Sequence, residues 1–162
     1  MKATVFTVMG CLFVASVAVV FAQDPVVRIT PEQLKWVADP ADLGFSQANV
    51  EGDPKKPGLY IIQVKFPPGV MSKPHFHGET RYATVIKGTW YTGAGDEFAP
   101  DKTVALKPGS FMKHPAGAHH FDGSKNEEVI LQLMGMGPST TTKMKPNEGL
   151  FGPSLPGQQI KK

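Results

Sequence analysis

The sequence predicts an all-β domain, a sandwich or a barrel, and three observations carry that prediction. Glycine and proline are abundant, 17 and 15 among 162 residues, which disfavours a helical bundle and supplies many turns. From Leu59 onward the apolar residues alternate or fall in short runs, the pattern of strands with one or both faces buried. Clusters containing Gly or Pro separate these runs at close intervals. With 41% hydrophobic residues the chain can bury a core, and its length suits one domain.

Residues 1–22 read as a leader. Lys2 precedes an apolar run from Ala3 to Ala22 broken only by Thr4, Thr7, Gly10 and Ser16. A positive start, an apolar stretch and a small residue before Gln23-Asp24-Pro25 mark a secretory signal, cleaved after Val20-Phe21-Ala22. The run is also long enough for an uncleaved anchor. Cys11 after Val8-Met9-Gly10 would suit a lipidated cysteine, but the apolar run continues well past it. Cleavage is the expectation, and with it a periplasmic or secreted protein with no stable membrane association. Cys11 is the single cysteine, so residues 23–162 hold no disulfide, no thiolate nucleophile and no Cys-based zinc site.

Residues 23–57 form an N-terminal segment with a short helix expected over 30–36. Thr30 is its N-cap, Pro31 its first helical residue and Gln33 the partner in a capping box. Leu34, Trp36 and Val37 would then form a lid or packing face. A barrel is expected over 58–137, with strands at 59–66, 81–87, 89–92, 103–106, 111–114 and 128–134. Pro67-Pro68-Gly69, Lys87-Gly88, Lys107-Pro108-Gly109 and Pro115-Ala116-Gly117 supply the turn residues between them. Met134 and Met136 are expected to fill the core. Residues 138–162 carry Pro138, Pro146, Pro153 and Pro156 and little apolar content. They are expected as an extended tail of low order, from which Leu150-Phe151 can dock on a neighbour.

The charge balance is mild. Seventeen Lys and Arg against 14 acids leave +3 and no long basic run, so no nucleic-acid partner is expected. Chemistry falls to the histidines, all of which lie between residues 75 and 120: His75 and His77, then His114, His119 and His120. Side chains two apart on a strand share a face, so His75 and His77 converge. Two imidazoles on one face can hold a divalent metal if other segments add ligands. His119, of opposite parity to His120, is expected to point outward.

These residues sit in a longer pattern. Gly69, His75, His77, position 81 and Gly88 follow one spacing, and Gly109, Pro115, Gly117 and His120 follow a second, with a turn-rich segment 89–108 between them. In both spacings the chain resembles the cupin superfamily. The resemblance implies a small antiparallel jelly-roll barrel holding a divalent transition metal (Fe, Mn, Ni, Cu or Zn) on three His and one Glu. Carried over by position, His75, His77 and His120 are the histidine ligands. Arg81 stands at the Glu position and Ser124 at a usual Asn position. A guanidinium has no lone pair to donate, so Arg81 is no ligand.

Three readings of this departure stay open. A fourth ligand is recruited nearby, with His114 or Glu79 as candidates, Glu79 otherwise lying in a turn and pairing with Arg81. Alternatively Arg81 faces the pocket to capture a small anionic ligand or substrate. In the third reading the pocket is metal-free and the histidines form a polar core. Ala83 and Val85 share parity with Arg81 and line the interior, leaving room for one small ligand. Phe76, Tyr82, Trp90, Tyr91 and Phe121 are expected in sheet packing or a subunit interface, and a homodimer is the expected assembly. As an enzyme the chain would be a metal-dependent oxygenase, isomerase or lyase, with Arg81 steering an anion and His114 as fourth ligand or general base. A binding module and a structural cupin without catalysis are the alternatives, because the fold does not choose the reaction.

Overall fold

A computed structural model describes residues 25–38, 40–155, 157 and 160. The leader, with Cys11 and its cleavage point, lies outside the described residues. The first strands are β1 (Val37–Ala38), β2 (Ser46–Glu51), β3 (Gly58–Phe66), β4 (Val70–Ser72), β5 (His75–His77), β6 (Arg81–Lys87) and β7 (Trp90–Ala94). They are followed by β8 (Val104–Leu106), β9 (Phe111–His114), β10 (His120–Gly123), β11 (Val129–Gly137), β12 (Thr141–Lys143) and β13 (Phe151–Pro153). The six expected strands are present as β3, β6, β7, β8, β9 and β11, with ends moved by a few residues.

The strands form two antiparallel sheets. One has the order β1-β2-β3-β11-β6-β9. In the other, β10 lies between β7 on one edge and β4 and β5 on the other, and β12 and β13 extend the far side. This is the barrel that the alternating pattern implies. On β3 the inward residues are Tyr60, Ile62, Val64 and Phe66, and on β11 Val129, Leu131 and Leu133. The register sets Leu131 between Val64 and Val85, and Leu133 between Ile62 and Ala83. Each large apolar side chain buried here stabilises the fold by about 1.5–3 kcal/mol. Trp90 closes the same core from the second sheet.

Three expectations need correction. The helix over 30–36 is a single 3-10 turn, Pro31–Gln33. Gln33 Oε1 does accept from Thr30 N at 2.8 Å, but the chain then extends into β1, and Val37 is exposed. Trp36 lies under the Lys65 ammonium, 4.3 Å from its ring centroid. Met134 and Met136 are exposed and not core, because they share parity with Ile130 and Gln132 on the outer face of β11. Residues 138–155 are extended as expected but are not a loose tail. β12 pairs with β5 and β13 with β4, and Phe151 stacks on Phe45 at 4.4 Å inside the barrel.

Candidate metal centre

Both sheets contribute to one buried polar layer. β5 points His75 and His77 inward with Phe76 turned away, and β10 sets His120 directly opposite His75. The other sheet supplies Arg81 and His114, which are register partners on β6 and β9. The rings pack closely: His75 and His120 centroids are 4.3 Å apart, His75 and His77 4.8 Å, and His114 and His120 3.9 Å. All four imidazoles are buried.

The backbone fixes how three of these rings present themselves. His75 Nδ1 donates to Lys73 O at 2.8 Å, His77 Nδ1 to Thr140 O at 3.0 Å and His120 Nδ1 to Ala118 O at 2.9 Å. A carbonyl only accepts, so in each neutral ring the hydrogen is on Nδ1 and Nε2 keeps its lone pair. Burial, then neighbouring charge, holds the His77 imidazolium form down to about 3 and that of His114 to about 4, and lowers His75 as well. Neutral rings anchored through the far nitrogen are the form in which histidine ligates a metal. The decisive atoms are His114 Nε2 and His120 Nε2, both buried with no hydrogen-bond partner among the described residues. Unsatisfied buried nitrogens are costly, and a divalent cation would satisfy both. The donor set fits such an ion.

Arg81 is held in a different network. Its Nε donates to Glu79 Oε1 at 2.8 Å, Nη1 to His77 Nε2 at 3.2 Å and Nη2 to Ser139 Oγ. Glu79 also accepts from Tyr60 Oη at 3.0 Å and Thr140 N at 3.2 Å. The Tyr60 hydroxyl reaches it because its ring lies over Gly135, where a Cβ would come within 2.7 Å of Cζ. Burial pushes the Glu79 carboxyl up, but hydrogen bonds from Arg81, Ser139 and Thr140 outweigh it and bring the group to about 2. Both Glu79 oxygens are thus occupied, and Glu79 serves as the counter-ion of Arg81. Among the described residues three of the five guanidinium N–H groups have partners.

A cavity of about 280 Å³ adjoins these groups, with His75, His77, Arg81 and His114 on its wall and Ile62, Leu131 and Leu133 as apolar lining. His119 stays outside: its ring stacks on Phe76 and Nδ1 pairs with Asp96. Ser124 is fully buried and structural, accepting from Gly69 N at 3.1 Å and donating to Pro67 O.

Solved structures of the same architecture include the polyketide cyclase RemF from Streptomyces resistomycificus, with TM-score 0.63 and 16% identity over 76% of this chain and 89% of that one. An RmlC-like cupin from Shewanella frigidimarina matches at TM-score 0.54 and 14% identity, over 67% of this chain and 87% of that one. The barrel has the cupin fold. The DMSP lyase DddQ from Ruegeria pomeroyi is a further structural match, at TM-score 0.57 and 16% identity over 75% of this chain and 61% of that one. At these identities the likeness establishes the fold alone. No protein-family model matches the sequence, and no curated protein matches it.

Within the cupin barrel, position reasoning brought together His75, His77, His120, His114 and Arg81. It missed Asp122, which is buried on β10 with an oxygen within 4.8 Å of the ligand atoms of His114 and His120. Its signal was parity, since it lies two residues beyond His120. It also missed Ser139 and Thr140, whose role depends on β12 pairing with β5.

Proposed function

We propose that this cupin binds a divalent transition metal in its histidine layer and takes a small organic anion in the adjoining cavity. The observation that carries the reading is the pair of buried, unpartnered Nε2 atoms on His114 and His120. When bound, the metal would supply Lewis acidity or oxygen activation. The chain's own residues would do the rest. The histidine layer of His75, His77, His114 and His120 supplies the nitrogen donors, with His77 Nε2 shared with Arg81, the apolar walls exclude water, and the Arg81 guanidinium on the cavity wall attracts an anion. A turnover function as oxygenase, isomerase or lyase is supported by the fold's occurrence in a polyketide cyclase and a DMSP lyase. Export as a periplasmic or secreted protein rests on residues 1–22, and homodimer formation remains part of the proposal. No helix among the described residues is long and apolar enough to cross a membrane.

One observation favours a second reading, a metal-free ligand-binding or structural cupin. Arg81 Nη1 already donates to His77 Nε2, as it would in a closed polar core. Metal analysis of tag-free protein separates the two readings. One equivalent of metal in the wild type and none in His120→Ala supports the metal centre; no metal in either leaves the metal-free reading. Thermal shifts with small carboxylates, repeated on Arg81→Ala, then test the anion: equal shifts in both proteins remove that role.

A further inference from the structure

The buried polar groups form two overlapping triads that share His120. One is His75, His77 and His120; the other is His114, His120 and Asp122. In each, the potential ligand atoms lie within 4.8 Å of one another. The triads differ in what those atoms already do. His77 Nε2 accepts from Arg81 at 3.2 Å, so its lone pair is engaged and a fixed positive charge sits against it. A dication placed there would meet that guanidinium at short range.

In the second triad Arg81 is only the register neighbour of His114 and engages no ligand atom. Among the described residues His114 Nε2 and His120 Nε2 have no hydrogen-bond partner, and Asp122 adds a carboxylate that is only 7% exposed. Ser72 Oγ holds Asp122 Oδ1 at 2.8 Å and accepts from Asp122 N at 3.0 Å, which orients the acid from behind. The chargeable groups that act on Asp122 are the imidazoles of His120, His114 and His75, and no Lys or Arg among the described residues forms a salt bridge with it. A buried carboxylate with no Lys or Arg paired to it among the described residues is an expensive arrangement. A divalent ion removes that cost and binds two nitrogens and an oxygen together.

We propose that His114, His120 and Asp122 are the metal-binding donors, and that His77 belongs to the wall, held there by Arg81. The inference rests on the metal-centre reading above and changes which residues do the binding. His75, its ring beside that of His120, flanks the set.

The test titrates Zn²⁺ into metal-free, tag-free full chain for the wild type, Asp122→Asn, His77→Gln and His120→Ala. Asp122→Asn keeps the size and the Ser72 contact, and is expected to weaken Zn²⁺ by about tenfold or more, as ligand loss does. His77→Gln is expected to leave affinity within about threefold, below the about 10–100-fold cost of losing even a supporting residue. Long-range ¹H–¹⁵N spectra of the wild type give an answer that needs no variant to fold. On Zn²⁺ addition the Nε2 signals of His114 and His120 should move to the metal-bound range while that of His77 stays. The opposite pattern, His77 shifting or His77→Gln losing the metal while Asp122→Asn retains it, overturns the proposal and leaves the metal centre standing. A wild type that takes up no Zn²⁺ removes the metal centre itself, and the proposal with it.

Discussion

Deleting the guanidinium at position 81 puts a number on the Arg81–Glu79 pair. Arg81→Met keeps the apolar stem and removes the charge. Both side chains of the pair are 11% exposed, and the contact is 2.8 Å, so Glu79 would be left as a buried carboxylate without a cation. Breaking a buried pair costs about 3–5 kcal/mol. Tyr60 Oη and Thr140 N still hold the carboxylate, which places the loss at the lower end, about 3 kcal/mol. For a domain of this size that is a fall of about 6–12 °C in Tm. Glu79→Gln alone should cost a similar amount by stranding the guanidinium. The double variant strands neither charge, so the two losses should fail to add by at least about 2 kcal/mol. Urea unfolding of the four metal-free proteins at pH 7 measures this. Losses that add to within about 0.5 kcal/mol, the tolerance for independent sites, would refute the pairing and give Arg81 a different partner.

Other outcomes follow from the same geometry. Burial keeps His75, His77 and His114 neutral, with His77 and His114 held to about 3 and about 4. These rings take up protons on unfolding below about pH 6.5, so their contribution is complete above that pH and is lost as the pH falls toward 4. Tm of the metal-free protein should therefore drop between pH 7 and pH 4, and a flat profile would contradict the burial argument. Phe151→Ala removes a ring stacked on Phe45 and edge-on to Phe66. As a partly buried Phe it should cost about 3 kcal/mol in urea unfolding, the low end for such truncations; a loss under about 1 kcal/mol would mean β13 does not close the barrel. A chain ending at residue 137 lacks Ser139, Thr140 and Phe151, and should bind a hydrophobic dye and melt without a cooperative transition.

The large strands were legible because one face of each is buried. The alternation of Tyr60, Ile62, Val64 and Phe66 on β3 is a direct image of inside and outside. The turn glycines were legible for a related reason: Gly88 and Gly117 adopt φ of 74°, where a Cβ is disfavoured, so their spacing survives as a pattern. Gly117 N also donates to His77 O at 2.8 Å, which ties the two histidine groups together and explains why their spacings go together. β12 was not legible. Thr141-Thr142-Lys143 has no apolar face, and it is a strand only because His77, Phe76 and His75 on β5 lie beside it. Short polar strands of this kind are specified by their partner's edge, and their own residues say little. His75, His77 and His120 came from spacing and the Glu79–Arg81 pair from nearness in the chain, whereas Asp122 and Ser139 depended on meeting their partners in space.

The distance along the chain between the site and its supports has a consequence for how the protein is made. Thr140, which sets the His77 tautomer, follows it by 63 positions, and Ser139 follows Arg81 by 58. At about 5–20 residues per second, several seconds of synthesis separate the two. During that interval the first histidines exist without their anchors, and Arg81 has no fixed direction. The proposed centre would therefore be complete only once the C-terminal strands β12 and β13 pair with β5 and β4.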